Sequence, residues 1–97
     1  MVYCIDIDGT LCTSVIANKY TDAEPFKKRI KKINALYDAG HTIILRTGRH
    51  WNNLRMTVEQ LKSWGVKYHS FSPGKPPADL YVDDKAVLDT VFFGDEN

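Results

Sequence analysis

The chain has 97 residues, a formal net charge of +1 and 43% apolar residues. That profile fits one small folded domain over 1–97 and excludes an extended disordered protein. The near-neutral balance gives no global pull toward nucleic acid or an anionic membrane, and the apolar runs are strand-sized, too short for a membrane span.

Acids arrive too soon after Met1 for a signal segment, and the cysteine usage fits a reducing cytoplasm by default. Cys4 and Cys12 form neither a metal nor a redox spacing; Cys4 reads as a core thiol and Cys12 as one near the candidate site.

In chain order, Val2 to Ile7 is a near-continuous apolar run of the kind buried in parallel sheets. Gly9 to Tyr20 lacks helical periodicity and reads as a loop or small flap. Thr21-Asp22-Ala23-Glu24 has capping-box spacing and predicts a helix start, with Pro25 tolerated in its first turn. Phe26, Ile30, Ile33 and Tyr37, with Leu36, recur at helical intervals, and Gly40 is placed to stop the helix.

Thr42 to Leu45 predicts the second strand, followed by the loop Arg46-Thr47-Gly48-Arg49. The spacing predicts a second helix from about Asn52 to Trp64, with Leu54, Val58 and Leu61 inward and Gly65 as its stop. Val66 to Phe71, rather polar, predicts an edge strand. After the loop 72–77, Leu80 to Val82 is the fourth strand, with a short helix after Asp84. Residues 91–93 fit either the end of that helix or a further strand.

Strand-helix alternation predicts an α/β fold, a three-layer sandwich around a central parallel sheet with right-handed crossovers. Ligands of such sheets bind beyond the carboxyl ends of the strands. The chemically promising groups all follow strand ends: Asp6 and Asp8, Thr47 and Gly48, Lys75, and Asp83 with Asp84. Asp6 and Asp8 are two residues apart and project to one side of an extended segment. Buried acids need a partner, and a divalent cation is the simplest one.

Cys4-Ile5-Asp6-Ile7-Asp8-Gly9-Thr10 resembles the signature of the haloacid dehalogenase-like phosphatases. The later motifs follow in that family's order: Thr47 after an apolar strand, Lys75 in Gly74-Lys75-Pro76, and Asp83-Asp84. The resemblance spans nearly the whole chain and implies a minimal Rossmannoid core with sheet order fourth, first, second, third strand.

It also implies roles. Asp6 would attack phosphorus and carry an aspartyl-phosphate, splitting hydrolysis into two easier steps. Asp8 would protonate the leaving oxygen and then deprotonate water. Gly9 and Thr10 would bring backbone close to the phosphate. Thr47, Gly48 and Lys75 would bind its oxygens, Lys75 also neutralising charge; apart from the resemblance, Arg46 and Arg49 are placed to contact the rest of an anionic substrate. Mg²⁺ would be held by Asp6, Asp8 through its carbonyl, Asp83 and Asp84, the last directly or through water.

The intervals between motifs are too short for a cap domain. The site is therefore expected to be open, closed by a large substrate or by a second copy of the chain. Trp51, Tyr20 and Val15-Ile16 could serve as partner surface or substrate platform, although Trp51 reads more simply as an anchor of the second helix.

The leading expectation is an Mg²⁺-dependent phosphomonoesterase for a phosphorylated sugar or other small metabolite. The stretch 74–86 resembles small bacterial phosphatases of capsule and lipopolysaccharide sugar pathways. One alternative is a polynucleotide 3′-phosphatase, with Lys27, Lys28, Arg29, Lys31 and Lys32 tracking a backbone, although such a run more often marks a solvated helix face. The other is a non-catalytic binding protein, which would have no need of Asp8 as a proton donor.

Overall fold

The computed structural model describes residues 1–16, 19–72, 78–82 and 92–94. Four strands, β1 (Val2–Asp6), β2 (Thr42–Arg46), β3 (Ser70–Ser72) and β4 (Leu80–Val82), form one sheet in the order β3-β2-β1-β4. Every described pairing is parallel. The order matches the expected one, and the apolar β1 lies inside the sheet with a neighbour on either side. Two helices accompany it, α1 (Lys27–Asp38) and α2 (Leu54–Ser63), giving the expected α/β Rossmannoid class. Neither described crossover contains an inserted cap.

Register explains the core. Tyr3 pairs with Ile43 and Leu80, and Ile5 with Leu45 and Val82, so these side chains share one sheet face. Tyr3, Ile5, Ile43, Leu45 and Val82 form a single buried cluster with Ile7, Leu11, Ile30 and Ile33 of α1, and Leu61 of α2, and the partly buried Leu80 packs against it.

Helix α1 starts later than the capping box predicts. Residues 20–22 make one 3₁₀ turn, Ala23 is extended, and Phe26 occupies the N-cap position without a side-chain cap. The residues meant to cap are used elsewhere: Glu24 N–H donates to Thr13 Oγ1 and Thr13 N–H to the Glu24 carbonyl, both at 2.9 Å. Pro25 pushes its predecessor away from helical geometry, and Phe26 N–H donates to the Leu11 carbonyl at 2.9 Å. Residues 11–13 are thus clasped to 24–26.

Both helices end as expected. Gly40 and Gly65 have φ of +95° and +73°. In each case the glycine N–H and the next N–H fold back onto carbonyls of the last turn, a geometry that favours glycine.

The basic run on α1 is not one solvated face. Arg29 is fully buried, donating from Nη1 to the Thr10 carbonyl at 3.0 Å and lying 4.6 Å from the Phe93 ring centre. Lys32 reaches the Phe92 carbonyl and ring. Phe92 and Phe93 are helical, which answers the ambiguity there on the helical side. The short helix expected just after Asp84 lies outside the described residues.

Helix α2 shows the other departure. Of its three predicted inward residues only Leu61 is buried; Leu54 and Val58 are 47% and 38% exposed. The inward face instead runs through Thr57 and Leu61, with Trp64 half-buried behind them. An inward polar residue is tolerable here because Thr57 Oγ1 accepts a hydrogen bond from Arg49. Leu61→Ala is accordingly expected to lower stability by roughly 2–4 kcal/mol, and Val58→Ala by no more than about 0.5 kcal/mol. Urea unfolding reads both, and equal losses would reject this assignment of faces. Strand β3 is also shorter than predicted, because only 70–72 pair with β2.

Candidate active site

The carboxyl end of the sheet gathers the candidate chemistry. β1 ends at Asp6, which pairs in register with Arg46, the last residue of β2. The Asp6 carboxylate and the loop 47–49 therefore leave the sheet side by side. Asp6 Oδ1 accepts from the Ile7 N–H at 3.0 Å, which anchors the carboxylate at the strand end.

The chain then turns sharply. Gly9 has φ +81°, a left-handed conformation that glycine adopts without strain. Its N–H donates to the Cys12 carbonyl at 2.9 Å, and the Thr10 and Leu11 N–H groups converge on the Ile7 carbonyl. Thr10, expected beside substrate, is fully buried, and its hydroxyl has no hydrogen-bond partner among the described residues. Its carbonyl holds Arg29.

Asp8 is gripped from the second loop. Arg49 donates Nε–H to Asp8 Oδ2 at 3.0 Å and Nη2–H to Oδ1 at 2.7 Å. Such a two-point fork fixes orientation as well as charge. The guanidinium is itself held: Nη1 donates to Thr57 Oγ1 at 3.2 Å and to Gln60 Oε1 at 2.7 Å. The Tyr20 ring stacks 4.3 Å from its central carbon, and Gln60 Nε2 donates to the Tyr20 carbonyl at 2.7 Å. The Arg49 side chain is 1% exposed and that of Asp8 27%. Arg49, expected to meet the substrate, thus has every guanidinium nitrogen engaged by the protein. Thr57, Gln60 and Tyr20 had no site motif to mark them, and sequence reasoning did not place them in this network.

Thr47 N–H donates to the Ser72 carbonyl at 3.0 Å, fastening the loop to β3. Its hydroxyl accepts the Arg49 N–H at 3.0 Å, and its rotatable hydrogen can be given to a phosphate oxygen. Gly48 is exposed, and a Cβ there would meet nothing within 4 Å. The backbone at 48 is therefore open to close approach.

Cys12 lies beside the acid, with Sγ 3.7 Å from Asp8 Oδ1 and 3.6 Å from the Ile7 carbonyl. Burial, and then the neighbouring Asp8 charge, push its thiol up to about 12. It stays protonated and is no nucleophile at neutral pH. Folding thus favours the neutral thiol: its contribution to stability is full below the ordinary thiol range and is lost as pH rises toward about 12. The native protein should resist alkylation by iodoacetamide at pH 8 and be labelled promptly in denaturant. Rapid native labelling of Cys12 would contradict this placement.

A neutral thiol is also a poor metal ligand, so the described donors of this site are carboxylate and carbonyl oxygens. Those suit a hard divalent cation such as Mg²⁺ rather than a soft metal. Among the described residues no group of three or more His, Cys, Asp or Glu side chains is poised around a cation. Lys75, Asp83 and Asp84 lie outside the described residues; β4 is described as far as Val82, which pairs with Ile5.

The family model of the haloacid dehalogenase-like hydrolases matches residues 3–70. Among solved structures, the chain is similar to a conserved protein from Bacteroides thetaiotaomicron, with TM-score 0.76 and 23% identity over 97% of this chain and 84% of that one. It is similar to a target protein from Vibrio cholerae, with TM-score 0.67 and 25% identity over 100% and 90%. A chain of the Pnkp1/Rnl/Hen1 complex matches with TM-score 0.63 and 18% identity over 98% of this chain but 34% of its own length. At such identities the first and third show a shared fold alone. No curated protein matches significantly. With a sheet of the expected order and a family model spanning most of its length, this chain belongs to the haloacid dehalogenase-like hydrolases.

Proposed function

We propose that this hydrolase is a phosphomonoesterase that works through a phosphorylated Asp6 on a small phosphorylated metabolite. The observation that carries the reading is the register at the sheet's carboxyl end. It sets Asp6 beside the 47–49 loop, whose own Arg49 holds Asp8 two residues further along β1's exit.

In the first step a carboxylate oxygen of Asp6 forms a bond to phosphorus and the ester P–O bond breaks. The departing oxygen takes a proton from Asp8, whose protonated form the entering phosphate dianion would favour. In the second step water attacks the phosphorus, Asp8 takes the proton, and phosphate leaves with Asp6 regenerated. The Thr47 hydroxyl and the open backbone at Gly48 would receive phosphate oxygens. Gly9 lets the chain turn close by. Arg49 acts through Asp8, keeping its carboxyl aimed while leaving lone pairs for the proton transfers.

Mg²⁺ held by Asp6, the Asp8 carbonyl, Asp83 and Asp84 would supply charge neutralisation for the transferring phosphoryl group. Lys75 would add a second positive charge. Arg29 and Lys32 are occupied within the fold, which removes two members of the basic track that a polynucleotide substrate would follow.

The test is turnover of phenyl phosphate with increasing Mg²⁺. Activity that rises and saturates with Mg²⁺, and vanishes with EDTA, is expected. No turnover with any divalent metal would reject the reading and favour a binding protein. Activity confined to 3′-phosphorylated DNA and steeply lost with added salt would favour the polynucleotide alternative.

A further inference from the structure

Next to the phosphate loop lies a cavity of about 360 Å³, within the size range of small-molecule sites. It is lined by Thr47, Arg49, Trp51, Leu54, Thr57 and Phe71, with His50 and Ser72 completing the wall. Thr47 belongs to both places, so whatever fills this cavity is contiguous with a group bound at 47–48. Trp51 is 79% exposed, so it does not anchor α2 by burial. Its indole forms part of the cavity wall and tilts against His50, with ring centres 5.5 Å apart.

The chemistry of the wall narrows the occupant. Apart from Arg49 the large side chains are apolar or aromatic, and acceptor sites on Thr47, Thr57 and His50 are already used within the protein. The Arg49 guanidinium serves Asp8, Thr57 and Gln60. The Thr57 hydroxyl accepts from Arg49, the Thr47 hydroxyl accepts the Arg49 N–H, and His50 Nδ1 accepts the Asn52 N–H at 3.3 Å. A polyhydroxyl group set against these apolar walls would lose water on that side and meet few polar side chains in return, at a cost for each hydroxyl left unpaired. A flat aromatic ring would lose nothing and would gain stacking on Trp51.

We propose that this cavity binds the leaving group of the substrate and that this group is an aromatic ring joined through oxygen to the phosphate, with Trp51 as its stacking face. The proposal rests on the phosphomonoesterase reading for which end of the substrate reacts. It departs from the sugar phosphate suggested by segment 74–86.

Two measurements test it. The first compares kcat/KM for 1-naphthyl phosphate and glycerol 2-phosphate in the native protein, Trp51→Phe and Trp51→Ala. Trp51→Ala should lower the naphthyl-to-glycerol ratio roughly tenfold or more, and Trp51→Phe should restore much of it. An unchanged ratio would overturn the proposal, as would glucose 6-phosphate being preferred over both.

The second measurement does not depend on turnover. In Asp6→Asn, 1-naphthyl phosphate should quench Trp51 fluorescence saturably, and adding Trp51→Ala should abolish that component. Merely linear, collisional quenching would overturn the aromatic pocket even if the phosphatase reading stands. Saturable quenching without turnover by the native protein would reject the phosphatase reading and keep the pocket. Sedimentation closes the last alternative: a native dimer that Trp51→Ala dissociates would assign the exposed Trp51–Leu54–Val58 stripe to a second copy and overturn the proposal.

Discussion

Asp6→Asn is expected to abolish phosphomonoester turnover, lowering kcat by roughly 10³-fold or more, because the amide cannot supply the attacking anion. The fold should survive. Asp6 stands at the end of β1, half-buried, and asparagine keeps an oxygen able to accept the Ile7 N–H that Oδ1 now accepts at 3.0 Å. A thermal midpoint close to that of the native protein would show that the loss is chemical. Appreciable residual turnover would remove Asp6 from the nucleophile's role, whatever else the site does.

Arg49→Met is expected to be costly in a different way. The substitution strips Asp8 of both its guanidinium contacts and leaves Thr57 Oγ1 and Gln60 Oε1 without their donor. Removing one partner of a buried pair costs about 3–5 kcal/mol. Because Asp8 keeps 27% of its side chain in solvent, water relieves part of this, and roughly 2–3 kcal/mol is expected.

For a chain of this size that lowers the thermal midpoint by about 10 °C or more. Arg49→Lys should recover only a fraction, since one ammonium cannot reproduce a planar fork. In both variants kcat should fall more than KM rises, because Asp8 would lose its aim while the loop at Thr47 and Gly48 persists. A stability change below about 0.5 kcal/mol would show that the network around Arg49 contributes little. A purely KM effect would return Arg49 to substrate binding.

The placement of Arg49 also bears on how an open site could stay selective. The Asp8 carboxyl, the proton carrier of the proposed reaction, is aimed by a residue of the second loop, and that residue is held in turn by α2. Movement of α2, or of the half-buried Tyr20 over the guanidinium, would therefore reach Asp8 directly. The cavity shares Arg49 and Thr57 with this network, so an occupant of it would touch two of the residues that hold Asp8 in place.

Much of the framework was legible from local pattern. Short apolar runs ending at or near charged residues marked β1, β2 and β4 almost to the residue, and the glycines at 40 and 65 ended both helices as expected. Each of these signals reports backbone conformation or burial within a few neighbouring residues. The candidate motif residues in the described part of the chain follow strand ends for the same reason.

What local pattern misjudged depended on distant partners. Thr21-x-x-Glu24 has the form of a cap, but residues 11–13 compete successfully for the same backbone groups. Leu54 and Val58 have inward spacing, yet the inner face of α2 goes to Thr57, because the guanidinium of Arg49 lies there to satisfy its hydroxyl. Arg29 sits in a basic run that reads as solvated, until the Thr10 carbonyl and two phenylalanine rings enclose it.

The amino-acid order by itself determined the family, the succession of strands and helices, and the strand-end positions of Asp6, Asp8 and Thr47. Only the tertiary structure decided that Arg49 grips Asp8 across 41 positions of chain, and that Trp51 walls a cavity instead of anchoring a helix. A strand or helix is set by neighbours that the chain always keeps together. The partner of a long charged or aromatic side chain is set by whatever folding brings within reach, and no local periodicity encodes that.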